Sequence, residues 1–139
     1  MQYPEVVSTI ALIVSVIAIP ATYLIGVSVG KKNDKRKEFN ALAEPVLAFF
    51  ERRIREHGAG TFYNQYQVPF EVINSLRRRL TKRESLRFNK AFGAYIAIMN
   101  RFTAHHTNEN PGPDEDETKS LCKEAERLSR EICSILKLR

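Results

Sequence analysis

The feature that most constrains this chain is an uninterrupted run of 25 uncharged, mostly apolar residues, Val6 to Gly30. A helix of this length covers about 37 Å, because each residue adds about 1.5 Å along the axis. The hydrocarbon core of a bilayer is about 30 Å thick. A core helix of a globular protein does not stay apolar on every side for so many turns. The run therefore predicts one N-terminal transmembrane helix, with residues 1–30 as a membrane anchor.

The charges on either side of the run predict its orientation. Residues 1–5 contain no Lys or Arg, whereas residues 31–37 contain five. A signal peptide has the opposite order, with basic residues ahead of a shorter apolar segment. By the positive-inside rule, we expect the N-terminus outside the membrane and residues 31–139 in the cytoplasm.

Small residues recur along the predicted transmembrane helix at intervals of three or four. The last of them, Ala18, Thr22, Gly26 and Gly30, end in a Gly-x-x-x-Gly pattern. Such a pattern allows two membrane helices to approach closely. It predicts pairing within the bilayer, either as a homodimer or with another membrane helix. The alternative is that these residues reflect only the high frequency of small residues in membrane helices.

The stretch RKEFNALAEPV, residues 36–46, follows the apolar run. It resembles a stretch found just after the membrane span of short bacterial proteins of unknown function. The resemblance implies a single-pass protein of the bacterial inner membrane. It implies no activity and no site residues.

Residues 31–139 have the composition of one basic domain. All 22 Lys and Arg residues and all but one of the 16 acidic residues lie there, which gives this part a net charge of +7. Its two cysteines, Cys122 and Cys133, lie about 16 Å apart along a single helix, too far for a disulfide. We expect both to be reduced thiols with structural roles.

Turn and cap signals divide this domain into a bundle of about four helices, so the predicted fold class is all-α. We expect a break at Glu44-Pro45, followed by a helix that ends at His57 with Gly58 as its cap. The apolar stripe of that helix is Phe39, Leu42, Val46, Phe50 and Ile54, which places Arg52, Arg53 and Arg55 away from the core.

The remaining helices have clearer signals. Pro69 opens a short helix with Phe70, Ile73, Leu76 and Leu80 facing inward, and Thr81 to Glu84 reads as a capping box. The next helix has an aromatic core stripe, Phe88, Phe92, Tyr95, Met99 and Phe102. Its Leu86 is expected to pack on the short helix, and its Gly93 to mark a close helix contact.

The last helix is expected over residues 114–138, with Leu121, Ala125, Leu128, Ile132 and Ile135 inward and an acidic first turn. We expect it to close the bundle, although pairing with a helix of another protein is an alternative. In the loop 58–68, the rings of Phe62, Tyr63 and Tyr66 are expected to fold back over the bundle, with a recognition loop as the alternative.

A basic cluster lies between residues 77 and 90, where seven Lys and Arg residues accompany only Glu84. At 100° per residue, Arg78, Arg79, Arg83 and Lys90 point away from the apolar stripes. They predict an outward surface that contacts anionic lipid headgroups. An acidic protein partner and a plain solvated face are the alternatives, and nucleic acid is disfavoured because exposed aromatic residues for base stacking are lacking.

The sequence contains none of the motifs that would predict an enzyme. It has no P-loop, no His-Glu-x-x-His, no paired Cys-x-x-Cys and no nucleophile elbow. The adjacent His105 and His106 point about 100° apart on a helix and cannot share one metal. We expect no enzymatic activity, cofactor or metal. The function expected is binding, by a membrane-anchored adaptor or regulatory protein with an unknown protein partner. The alternative is a small membrane-active protein, of toxin or phage type, whose transmembrane helix is the effector.

Overall fold

The computed structural model describes the backbone of residues 3–62, 67–103 and 112–139, and within these ranges the side chains from residue 18 onward. The described residues form four α-helices and no strand, which confirms the predicted all-α class. The helices are α1 (Tyr3–Gly58), α2 (Phe70–Arg77), α3 (Lys82–Thr103) and α4 (Glu115–Ile135). The chain divides into two compact units, residues 1–38 and residues 39–139.

Helix α1 continues through Pro20 and Pro45, so the helix break predicted at Glu44-Pro45 is wrong. A proline inside a helix removes one backbone hydrogen bond and costs about 3 kcal/mol. Here Pro45 lies between Ala43 and Val46, which are both fully buried in the core. Burial of these side chains and of the following Phe50 offsets the cost of the proline.

The end of α1 is a Schellman motif, in which the left-handed residue is Gly60 rather than the predicted Gly58. Gly60 has a φ of 72°. Its N–H donates to the His57 carbonyl at 2.9 Å, and the Thr61 N–H donates to the Glu56 carbonyl at 3.0 Å. These two bonds satisfy the last carbonyls of the helix, and glycine adopts the positive φ without strain.

The core of the second unit is built where α1, α3 and α4 meet. The aromatic stripe predicted for α3 is confirmed, since four of its members are buried and Phe102 is half-buried. Phe50 of α1 makes edge-to-face contacts with Phe92 and Tyr95 of α3, at centroid distances of 6.4 and 5.2 Å. From α4, buried residues include Ala125, Leu128, Ile132 and Ile135. Leu121, the first residue of the predicted stripe, is half-buried against the same core.

The capping box predicted at the start of α3 and the acidic first turn predicted for α4 are both confirmed. At α3, the Thr81 N–H donates to Glu84 Oε2 at 2.8 Å, and the Glu84 N–H donates to Thr81 Oγ1 at 3.3 Å. This is the reciprocal capping box. At α4, Asp114 Oδ1 accepts from the Glu117 N–H at 2.7 Å. The final residue, Arg139, exchanges two hydrogen bonds with Asn40, at 2.8 and 2.9 Å.

Three predictions about surface and core positions are wrong. Leu86 does not pack on α2 but is 66% exposed, because it lies about 200° around α3 from the buried Phe88. Gly93 marks no helix contact, since a Cβ built there meets no atom within 4 Å. Phe70 is about half exposed and reaches the core only through the edge of Phe92, at 6.1 Å.

Candidate functional site

The first unit presents an apolar helix surface that the described residues leave uncovered. Every described side chain from residue 18 to residue 38 is exposed. Tyr23 is 71% exposed and Ile19 is 70% exposed. In the part of the chain with described side chains, no helix meets the length and apolarity needed to cross a membrane. Residues 6–17 of the predicted transmembrane helix lie outside that part.

The residues predicted to pair membrane helices share one side of α1. Thr22 Oγ1 donates to the Ala18 carbonyl at 2.7 Å, so this hydroxyl is satisfied within its own helix. A Cβ built at Gly26 or at Gly30 would meet no atom within 4 Å. This side is therefore smooth and open, and pairing through it stays a prediction.

The opposite side of the same segment carries the change from apolar to basic residues. A shallow groove of about 470 Å³ is lined by Leu24, Val27, Ser28, Lys31, Lys32 and Lys35. At 100° per residue, Leu24, Val27 and Lys31 lie within about 60° of one another, and Gly26 lies across the helix from them. Apolar side chains thus give way to ammonium groups along one line of the helix.

The second unit carries the predicted basic cluster as an exposed surface on α3 and the turn before it. We call this surface the basic face, and it consists of Arg78, Arg79, Lys82, Arg83 and Lys90, all exposed. The exposed Leu86 lies among them, three residues from Arg83 and four from Lys90. Sequence reasoning had placed Leu86 in a packed contact and so missed it as part of this surface.

Two residues of the sequence cluster, Arg77 and Glu84, have contacts of their own and are not part of the basic face. The Arg77 guanidinium lies over the rings of Phe88 and Phe92, 5.8 and 5.3 Å from their centroids. Glu84, the one acid in the cluster, accepts from both the Thr81 N–H and the Arg139 guanidinium. These hydrogen bonds and the nearby positive charge of Arg139 keep the pKa of Glu84 low despite its partial burial.

A buried polar cluster inside the second unit was missed by sequence reasoning. Arg53, predicted to lie away from the core, is fully buried, and its Nη1 donates to Glu56 Oε2 at 3.1 Å. Its guanidinium also lies 5.2 Å from the Phe49 ring and 5.8 Å from the Phe62 ring. His57 is 2% exposed, and its Nε2 is 3.5 Å from the Tyr95 hydroxyl.

Burial dominates the electrostatics of this cluster. Desolvation, reinforced by the Arg53 charge, lowers the pKa of His57 to about 4, so the imidazole is neutral at pH 7. Desolvation also raises the pKa of Tyr95 to about 12. The ring of Phe62 covers the cluster, stacked at 3.9 Å on Phe102, which confirms that this ring folds back. Tyr63 and Tyr66 lie outside the described residues.

The spacing of the core residues in α1 contains a signal for the buried cluster. Buried positions recur at intervals of four and three through Phe39, Ala43, Val46, Phe50, Arg53 and His57. The predicted stripe instead ended on Ile54, which is only half-buried, because it followed apolar residue type. In this part of α1, a side chain is buried because of its position in this four-and-three spacing, not because of its polarity.

A shallow groove lies over part of this region, on the outside of the second unit. It measures about 430 Å³ and is lined by Pro45, Ala48, Phe49, Arg52, Arg53, Gln67 and Pro69. Arg53 borders this groove, but its side chain is fully buried and its guanidinium is ion-paired with Glu56. The groove therefore presents a mainly apolar surface.

Neither cysteine is part of a reactive site. Cys122 and Cys133 are free thiols, and burial raises the pKa of both, that of Cys133 to about 11. They are therefore protonated and poorly nucleophilic at pH 7. Among the described residues, no group of three His, Cys, Asp or Glu side chains could hold a metal ion. His105 and His106 lie outside these residues. No protein-family model, curated protein or solved structure matches the chain.

Proposed function

We propose that this chain is a membrane-anchored helical binding protein of the bacterial inner membrane. Residues 1–30 anchor it, and the second unit acts at the cytoplasmic face as an adaptor or regulatory domain through contacts with another protein. The observation that carries the proposal is the uncovered apolar surface of residues 18–30, followed directly by five Lys and Arg residues.

The energetic argument concerns what such a surface would cost in water. Leaving a Leu, Ile or Val side chain exposed rather than buried forgoes about 1.5–3 kcal/mol. Ile19, Leu24, Ile25 and Val29 are each more than half exposed. In proportion to their exposure they together forgo about 4–8 kcal/mol, which is comparable with the whole stability of a small domain. The twelve uncharged residues that precede position 18 extend the same apolar composition, which supports a lipid environment.

The second unit supports binding rather than catalysis. Its buried ionisable groups, Arg53, His57 and Tyr95, lie within the core, where they contact one another and aromatic rings. Five of its exposed cations instead form the basic face, on α3 and the turn before it. An outward surface of this kind suits recognition of a partner.

The proposal is tested by separating anchoring from binding in cells. We expect the full chain to stay in the membrane pellet after alkaline carbonate extraction, and a variant lacking residues 1–30 to be soluble. Affinity purification of both from detergent-solubilised whole cells should recover a shared partner, with a lower yield for the truncated chain. Carbonate extraction that releases the full chain would contradict the anchor.

The same cells test the membrane-active alternative. If the anchor alone were the effector, depolarisation on overexpression would persist after deletion of residues 45–139. We expect no depolarisation from either chain, because the described part of the anchor segment carries no charged or strongly polar line that could form a water path.

A further inference from the structure

Four of the five residues of the basic face carry positive charge that no ion pair neutralises in the described part of the chain. Within the described part of the chain, Arg78, Lys82, Arg83 and Lys90 make no ion pair, in contrast to the exposed arginines of α4. Arg127 holds Glu124 and Glu131, and Arg130 holds Glu126. The positive potential of the basic face is therefore available to an external anion.

Leu86 gives this surface an apolar centre. It projects from the side of α3 opposite Tyr95 and Phe88, both fully buried, and is two-thirds exposed. Lys82 and Lys90 lie one turn before and one turn after it. Long basic side chains around an exposed leucine match a membrane interface, where the leucine enters the acyl boundary and the cations reach the phosphates.

We propose that the basic face with Leu86 is a second membrane contact, which docks the second unit on the anionic phospholipid surface of the membrane that holds the anchor. The proposal rests on the proposed anchor, since the tether supplies a high local concentration of lipid. Anionic headgroups on the cytoplasmic leaflet attract basic residues within a Debye length.

Two other classes of partner fit the surface less well. Single-stranded nucleic acid is bound by basic grooves with exposed aromatic rings, whereas the basic face contains no aromatic residue. An acidic protein would complement the charge, but it would have to compete with the leaflet that the tether keeps nearby. Lipid is therefore the occupant that the charges, the leucine and the tether all favour.

The absence of tryptophan from the chain allows a direct test with full-length protein. Three single-tryptophan variants, Leu86→Trp, Tyr23→Trp and Ser134→Trp, are reconstituted in vesicles containing brominated lipids, which quench tryptophan on contact. Tyr23→Trp reports the anchor, and Ser134→Trp reports an exposed position on α4. Each variant is measured in neutral vesicles and in vesicles containing phosphatidylglycerol.

We expect Tyr23→Trp to be quenched in both vesicles, Leu86→Trp only in anionic vesicles, and Ser134→Trp in neither. Quenching of Leu86→Trp should decrease between about 0.1 M and about 1 M salt, as the Debye length falls from about 10 Å to about 3 Å. Each cation contributes about fivefold to docking, so changing Arg78, Arg83 and Lys90 to Gln should reduce the docked-to-undocked ratio about a hundredfold. The matched control changes the exposed Lys119, Lys123 and Lys137 to Gln, and should have little effect.

The outcomes separate the two proposals. If Tyr23→Trp is quenched but Leu86→Trp is not, the docking is overturned and the anchor stays in place. The same holds if Leu86→Trp is quenched equally in neutral and anionic vesicles. Unquenched Tyr23→Trp with Leu86→Trp quenched in anionic vesicles overturns the anchor and supports the lipid contact by itself. An oligonucleotide or an acidic protein that alters Leu86→Trp emission, when brominated anionic lipid does not, assigns the basic face to that partner and overturns the lipid contact.

Discussion

The two parts of helix α1 reverse the usual relation between residue type and burial. Between residues 18 and 30, Ile19, Leu24 and Ile25 are mostly exposed, whereas Arg53 and His57 near the other end are almost completely buried. The same backbone conformation holds in both parts. The difference is that the buried side chains of residues 39–58 pack into a core with α3 and α4, whereas the side chains of residues 18–38 are exposed. Neighbours, rather than polarity, therefore determine which side chains of α1 lose contact with water.

The largest effect that would sharpen this comparison is expected from the packed part of α1. Phe50→Ala should lower the free energy of unfolding of the second unit by about 3–5 kcal/mol, because it removes a fully buried ring that contacts Phe92 and Tyr95. Leu24→Ala, at an exposed position of the other part, should change it by less than about 0.5 kcal/mol. Chemical denaturation of the full chain in mild detergent measures both. Equal losses would contradict the division into two units.

A somewhat smaller effect is expected from the buried cation. Arg53→Ala should destabilise the second unit by about 3 kcal/mol, because Glu56 would keep its charge in a nearly buried position. The double variant Arg53→Met with Glu56→Gln should recover most of this loss, since it removes both charges and retains apolar volume. If the double variant is no more stable than Arg53→Ala, the ion pair is not the reason for the loss.

The buried histidine predicts a pH dependence. His57 has a folded-state pKa of about 4 and an unfolded-state pKa near 6.5, so the unfolded chain binds the proton more readily between these values. Stability from this group is therefore complete above about pH 6.5 and is lost as the pH falls towards 4, by about 2–3 kcal/mol. His57→Gln should be less stable at pH 7 and should show a flatter profile over that interval. A wild-type profile as flat as that of the variant would mean that the imidazole is not desolvated.

The smallest effects on the free energy of unfolding are expected from two glycine-to-alanine changes, with opposite signs. Gly93→Ala should stabilise the second unit by about 1 kcal/mol, because Gly93 lies inside α3 and an added Cβ meets nothing within 4 Å. Gly60→Ala should destabilise it by about 1 kcal/mol, because its φ of 72° suits glycine. The two variants add the same methyl group, so a difference in sign isolates backbone conformation from volume. Two changes of the same sign would contradict that interpretation.

Local signals in the sequence were sufficient for the starts of α3 and α4. The capping box at Thr81 and the acidic first turn of α4 depend on residues within four positions of one another, and both are present in the structure. The stripe from Phe88 to Phe102 could be predicted for the same reason, because its periodicity lies within one helix.

Features that depend on other helices could not be predicted in this way. Pro45 disfavours a helix locally, and only burial of its neighbours against the rest of the core explains why α1 continues. Arg53 and His57 are polar, and only their positions in the four-and-three spacing of buried residues along α1 show that they face inward. Leu86 lies off the predicted stripe of α3, and only the packed structure shows that α2 does not cover it.

The measurement that tests the central claim most directly is the location of the C-terminus in living bacteria. We predict that a C-terminal green fluorescent protein fusion is fluorescent and that the matching alkaline phosphatase fusion is inactive, because residues 31–37 hold five basic residues and residues 1–5 hold none. Changing Lys31, Lys32, Lys35, Arg36 and Lys37 to Gln should weaken this bias, whereas the same change at Lys119, Lys123 and Lys137 should not. An active phosphatase fusion with a dark fluorescent fusion would contradict the predicted topology and the docking of the second unit on the cytoplasmic leaflet.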